Sequence, residues 1–460
     1  MNSVFKLSCS RMALLTAFGL AISFTPVSAA DLGGDCCADL EERVAELEAT
    51  TARKGNRKVS LTISGWVNEA VFAWDDGVER NAYVGTNSLE QSRFRFVGEA
   101  QISPGYSAGY TLEIGTQGHA SNKFDQTTDA SSGDNMLTVR KSNWWLKSKD
   151  YGKVTVGLEG TATYHLLDDA DIANTRNVSD AQAAAVALGS FGLRNNGNFL
   201  GSSSNSSIGL RWSDVLRGVD NNTDGQNGRR NIVRYDSPEI AGFVVTASWG
   251  EDDMWGVSTT YKNKWGDFLV IAKAGYEQNS DEGTSQCSST PSALTIPSGP
   301  AHQNCAWWGA AGSIMHAPTG LYVYGGWGEN HDYSEAQVTQ GGFSPDADDQ
   351  LWFIQGGIEQ KWIPLGKTTI FGEYRQDNGG SNLAKGFAAG GGAAGDLKTE
   401  YIHDSQINNF AAGIVQNIEP AAMDLYVVYR HADGDVTNAS GDTASLDAFD
   451  MVIMGAMMKF

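Results

Sequence analysis

No stretch beyond the first thirty residues carries the roughly 18 consecutive apolar side chains that a membrane-spanning helix needs, so helical insertion is excluded. Basic charge is scarce as well: 33 Lys and Arg stand against 54 Asp and Glu, a net charge of -21. That balance argues against nucleic acid as a partner. Signatures of hydrolytic chemistry are missing, since neither HExxH nor GxSxG occurs and the seven histidines are dispersed. The run Gly390-Gly-Gly-Ala-Ala-Gly395 satisfies GxGxxG but lies in a glycine-alanine loop, without the strand before and helix after that a dinucleotide site requires. No catalytic residue, metal or cofactor is expected. A barrel enzyme with Ser and His on different strands is the disfavoured alternative.

What is present is 54 glycines, 10% aromatics and a mean hydropathy of -0.30 in 460 residues, polar on average yet rich in strand and turn formers. In a barrel only every second residue meets lipid, so such a chain can still be integral to a membrane. Residues 1–29 carry Lys6 and Arg11, an apolar run from Met12 to Phe24, and Val27-Ser28-Ala29, the layout of a cleaved secretory signal. Residues 30–58 follow as a spacer, in which Leu40, Val44 and Leu47 mark a short amphipathic helix. Two heptads are marginal alone, so the helix must pack, either as a self-associating stem or at a barrel mouth.

From Val59 the period becomes two, and 59–460 reads as the barrel. Leu61, Ile63, Gly65 and Val67 share one face; Ser60, Thr62, Ser64 and Asn68 share the other. Phe94, Phe96, Gly98, Ala100 and Ile102 then alternate with Arg93, Arg95, Val97, Glu99 and Gln101. Alternate charges turned to a dry core would be costly, whereas a water-filled lumen solvates them. The pattern closes on Asp450 to Phe460, with an aromatic carboxyl terminus.

Tight reversals recur at 103–105, 150–152, 238–242, 263–266, 317–320, 364–366 and 419–421. Long polar connections recur near 75–90, 119–134, 161–228, 251–254, 278–304, 331–349, 377–400 and 433–444. Seven turns and eight loops join sixteen antiparallel strands, with eighteen the alternative if the longest loops hide two more. An even strand number with short turns at one end and long loops at the other is the organisation of bacterial outer-membrane barrels, with both chain ends periplasmic. Trp74, Trp249, Trp255, Trp265, Trp362 and Tyr374 sit near strand ends as an interfacial girdle requires. Parity fails between Leu137 and Lys147, where Arg140 and Lys141 compete for the lumen side.

In an oxidising compartment Cys287 and Cys305 are candidates for a disulfide closing a loop; two unpaired thiols are the alternative. Asp346, Asp348 and Asp349 read either as a solvated acidic loop or as a divalent-cation contact with lipopolysaccharide.

The stretch Arg230-Asn-Ile-Val-Arg-Tyr-Asp-Ser-Pro238, continuing to Ala241-Gly-Phe-Val-Val-Thr246, resembles the strand-turn-strand that follows the constriction loop of general porins. Together with Lys153-Val-Thr-Val-Gly157 and the terminal Phe460, it makes the chain similar to general diffusion porins of alphaproteobacterial, Rhizobiales-type outer membranes. The resemblance implies a sixteen-stranded barrel, a homotrimer, and a third loop folded inward, here 161–228. It implies passive diffusion of small hydrophilic solutes and ions, with a solute-specific channel as the alternative. Basic wall candidates are Arg93, Arg95, Arg140, Arg230 and Arg234; acidic loop candidates are Asp168, Asp169 and Asp171. A mature terminus at Ala30-Asp31 further resembles barrels joined to peptidoglycan through the terminal amine, a tethering role compatible with diffusion.

Overall fold

The computed structural model describes residues 58–128, 136–179, 183–204, 207–216, 228–250, 253–280, 304–333 and 345–460. The expected signal and spacer helix lie outside them, as does Cys287. Sixteen strands form the wall: β1 (Ser60–Asp75), β2 (Arg93–Ser103), β3 (Tyr106–Gln117), β4 (Met136–Ser148), β5 (Gly152–Gly160), β6 (Arg229–Asp236), β7 (Phe243–Gly250) and β8 (Trp255–Trp265). The second half comprises β9 (Phe268–Asn279), β10 (Cys305–His316), β11 (Leu321–Asp332), β12 (Asp348–Ile363), β13 (Gly366–Gly379), β14 (Tyr401–Ile418), β15 (Met423–Asn438) and β16 (Thr443–Lys459).

Each strand pairs antiparallel with its neighbour, and β1 closes on β16 from Trp66↔Lys459 to Asp75↔Asp450. Closure removes the unpaired edges that hydrocarbon cannot solvate. The two additional strands of the sheet, Arg80–Thr86 and Asn382–Gly386, are extensions rather than wall strands. Arg80–Thr86 continues β2 along β1, and residues 87–92 leave the wall between the two. Six of the seven tight reversals fall where the pattern placed them, and the β8–β9 reversal falls at 265–268, two residues beyond 263–266. At the β10–β11 turn, Gly320 adopts φ +70°, and a Cβ there would lie 1.8 Å from the Glu359 carbonyl oxygen. Only glycine passes.

The alternation reads directly as two faces. Leu61, Ile63, Val67, Leu146, Phe243, Val245 and Val257 are exposed on the outside, a band suited to lipid. Trp249, Trp255, Trp265 and Trp362 are exposed there too. Trp74 differs from the girdle expectation. It is 3% exposed and faces inward, in step with Asn68, Ala70 and Phe72.

The parity failure in β4 has a covalent-length cause. Opposite β3, Glu113 pairs with Lys141 and Ile114 with Val139, leaving Arg140 as an inserted residue. Such a bulge lets two consecutive side chains turn to the same side. Val139 points outward, Arg140 and Lys141 both point in, and alternation resumes with Trp144 out and Trp145 in.

The inside is not uniformly wet. The helix α1 (Ala183–Leu188) is buried along its whole length, and with Phe191, Leu193, Leu200, Leu210 and Trp212 it forms one apolar core with wall residues Phe72, Trp74, Ile407, Val436 and Phe449. Ring centroids of Trp74 and Phe191 are 5.3 Å apart, and those of Phe191 and Phe449 4.8 Å. The long-loop ends of β1 and β14–β16 thus bury greasy side chains against the β5–β6 connection, where the alternation alone implied water.

Candidate functional site

The β5–β6 connection is fastened to the inner wall residue by residue. Ala162 N donates to Ser248 Oγ on β7 at 2.9 Å, and Ser258 Oγ on β8 donates to the Ala162 carbonyl at 2.5 Å. Thr163 Oγ1 donates to Glu277 on β9 at 2.7 Å, Ser313 Oγ on β10 to the Ala170 carbonyl at 2.5 Å, and Tyr324 OH on β11 to the Leu167 carbonyl at 2.7 Å. Thr175 Oγ1 reaches Gln355 on β12, Ser179 Oγ reaches Glu373 on β13, and Asn174 Nδ2 reaches Asp424 on β15. Gly275 on β9 makes room for this path, since a Cβ there would lie 2.5 Å from Leu166 Cδ1. The connection therefore lies along β7–β15. A cavity of about 380 Å³ remains between it and the opposite wall.

That cavity is lined by charge. Its lining includes seven Lys and Arg side chains and five Asp and Glu side chains. The wall side is organised by Glu113 on β3, whose side chain is 1% exposed. Arg95 Nε donates to it at 2.7 Å, Arg140 Nε at 3.0 Å, and Arg93 Nη1 lies 3.5 Å away. Arg93 also contacts Glu90 at 3.0 Å and stacks over Trp66 at 4.4 Å, so its guanidinium is held from three directions. Beside this cluster Lys141 pairs with Glu159, and Arg234 pairs with Asp236 at 2.9 Å while donating to the Gly160 carbonyl at 3.0 Å.

The loop side answers with its own pairs. Asp169 takes Arg176 and, at 3.1 Å, Lys273 from β9; Arg176 also contacts Glu90 at 3.1 Å. Burial would raise the Glu90 carboxyl, but Arg176 and Arg93 override it and hold it below the usual range. Burial likewise opposes ionisation of Asp169, and Arg176 and Lys273 hold its carboxyl low all the same. His165 is pushed down by burial and by Arg176, despite its Nδ1 lying 2.6 Å from the Asp168 carboxylate, which favours the protonated ring. Burial pushes Asp171 up to about 7, against hydrogen bonds from Ala173 N at 2.8 Å and Thr175 Oγ1 at 2.9 Å.

A family model described as Gram-negative porin matches residues 17–445. The chain belongs to that family. As a porin it forms an outer-membrane channel for passive diffusion. Among solved structures, an anion-selective porin from Comamonas acidovorans is 14% identical, with 87% of this chain and 100% of that one covered at a TM-score of 0.53. OmpT, an outer membrane protein of Vibrio cholerae, is 14% identical over 88% of this chain and 99% of its own, at 0.49. OmpF of Salmonella typhi is 14% identical over 88% and 98%, also at 0.49. The likeness to the Comamonas porin bears on the fold, a closed sixteen-stranded antiparallel barrel. No curated protein matches the chain.

Of the residues singled out in the sequence, the porin brings Arg93, Arg95, Arg234 and Asp169 to the cavity lining. Arg140 stands behind them, 8% exposed, bonded to Glu113 and to Gln91 Oε1 at 2.8 Å. Arg230, Asp168 and Asp171 are not among the lining residues. Asp168 is fully buried against His165, and Asp171 caps its own loop turn. Asp348 pairs with His331, Asp349 accepts from Gly380 N at 2.8 Å, and Asp346 accepts from Asp348 N at 3.1 Å, so the three carboxylates take different partners. Cys305, 3% exposed at the start of β10, is disulfide-bonded; Cys287 lies outside the described residues.

Sequence reasoning missed Glu113, Glu90, Arg176 and Lys273, and left Lys141 in contest with Arg140 for the lumen side. For Glu113 a signal existed: it stands directly across from Arg95 in the β2–β3 register, the placement that favours opposite charges.

Proposed function

We propose that the charged cavity beside the β5–β6 connection is the constriction of a general diffusion channel for small hydrophilic solutes and ions. Supporting this reading is the fastening of that connection to wall strands from β7 to β15, beside a cavity edged by opposed charges. Pore diameter and lining charge select what passes such a channel. In this reading the short turns face the periplasm, the long loops face outward, and the basic cluster on β2, β4 and β6 opposes Asp169 to set a transverse field. The channel is a homotrimer of the alphaproteobacterial type, seated in outer-membrane lipid and lipopolysaccharide, without catalytic residues. Removal of residues 1–29 leaves 30–58 as a periplasmic spacer, where an amino-terminal peptidoglycan bond would tether the barrel.

The test is conductance in planar bilayers. Purified protein should give stepwise channels, and a variant lacking 165–200 should fold and conduct more per channel. Unaltered conductance in the folded deletion variant would remove the loop from the constriction. Lipase or protease activity without conductance would reverse the reading.

A further inference from the structure

The chain as a whole is strongly acidic, with a net charge of -21, yet the narrow cavity has the opposite sign, seven cations against five carboxylates. Six of those cations are ion-paired to the five carboxylates: Arg93 and Arg176 with Glu90, Arg95 with Glu113, Lys141 with Glu159, Arg234 with Asp236, and Lys273 with Asp169. Lys153 on β5 is different. Among the described residues it makes no ion pair, and its ammonium lies 5.3 Å from the centre of the Trp145 ring. Asp236, across the β5–β6 pairing from Lys153, is already engaged by Arg234 through both carboxylate oxygens.

Two further observations make Lys153 more than a spare charge. It lines both the 380 Å³ cavity and a second cavity of about 870 Å³ at the short-turn end, a position it shares with Asp236, so its amine stands where the two cavities adjoin. Its partner across the β4–β5 pairing is Lys147, which lines the second cavity. Like charges directly opposite on neighbouring strands repel, and a bound anion relieves the repulsion. An anion carrying two charges relieves it best, because each amine then has a counter-charge.

We infer that Lys153 and Lys147 form a site for small dianionic oxyanions, of the hydrogenphosphate or short dicarboxylate class, and that the channel prefers anions despite its acidic sequence. This rests on the diffusion-channel reading above. Chloride passes the site weakly held, whereas a dianion dwells between the two amines and slows the ions behind it.

The experiment is a reversal-potential measurement across a KCl gradient, repeated with inorganic phosphate added on one side at pH 7.5. Wild-type protein should show anion preference, and phosphate should lower chloride current in a saturable way. Lys153→Gln should reduce the anion-to-cation permeability ratio by about twofold, the effect of one screened unit charge at pore-radius distance, and abolish the phosphate effect. Lys153→Arg should retain both. Cation preference in the wild type, or a phosphate effect that persists in Lys153→Gln, overturns the inference while leaving the channel intact. Absence of any conductance overturns the channel and this site with it.

Discussion

Replacing Glu113 with Gln is the sharpest probe of the charged wall. The carboxylate is 1% exposed and has three arginines within 3.5 Å, so the substitution leaves three guanidiniums facing one another around a neutral amide. Removing one partner from a buried pair costs about 3–5 kcal/mol, because the remaining charge loses both water and counter-ion. The local structure places this case at the lower end. Arg95 is 35% exposed at its side chain and turns to lumen water, Arg93 keeps Glu90, and Arg140 keeps Gln91. A loss of about 3 kcal/mol is therefore expected. Barrels of this kind unfold irreversibly, so the readout is the temperature at which the folded electrophoretic form converts on heating. In parallel, the cationic excess of the cavity rises by one. A unit charge acting over about 8 Å of water is worth ~0.5 kcal/mol, about a twofold change in the local concentration of each ion and about a fivefold change in their ratio before salt screening. Glu113→Gln should thus melt earlier and favour anions more than wild type. A variant with unchanged melting and an unchanged salt-gradient potential would show that Glu113 does not organise the arginines.

Two other perturbations address the loop. Gly275→Val places a side chain where Leu166 Cδ1 lies 2.5 Å from the modified position, and overpacking of this kind costs about 1–3 kcal/mol; the displaced loop should change single-channel conductance, and identical traces would argue that Leu166 does not dock there. Asp171, pushed up to about 7 by burial, binds a proton more tightly in the folded loop than an unfolded carboxyl of about 3.9 does. Its contribution to loop stability is then complete below about pH 4 and lost as pH rises through about 7. Open-channel noise should grow over that window, and Asp171→Asn should flatten the dependence; noise that grows equally in the variant would assign the titration elsewhere.

The wall was legible because it obeys one rule. Seven turns and the faces of β1 and β2 follow from period-two alternation, which lipid outside and water inside enforce at every step. Trp74 shows how a local cue misleads: being near a strand end suggested a girdle, but counting by twos from Asn68 places it inside, against Phe449. At Arg140 the rule is broken by an inserted residue, and the apparent contest between Arg140 and Lys141 dissolves because the bulge directs both inward. The loop contacts were illegible for a different reason. Ser179 meeting Glu373, or Asn174 meeting Asp424, depends on how a long connection threads the interior, and no periodicity records that path.

The greasy packing of Trp74, Phe191 and Phe449 has a consequence for size exclusion. A barrel's girth grows with its strand number, yet here residues of the β5–β6 connection pack a core inside the wall. Permeants would meet the space left beside that connection rather than a full bore. With the β5–β6 connection as the constriction proposed above, the largest molecule admitted would be governed by how far one loop spreads over the inner surface, so sieving limits could drift between related barrels while their strand count stays constant.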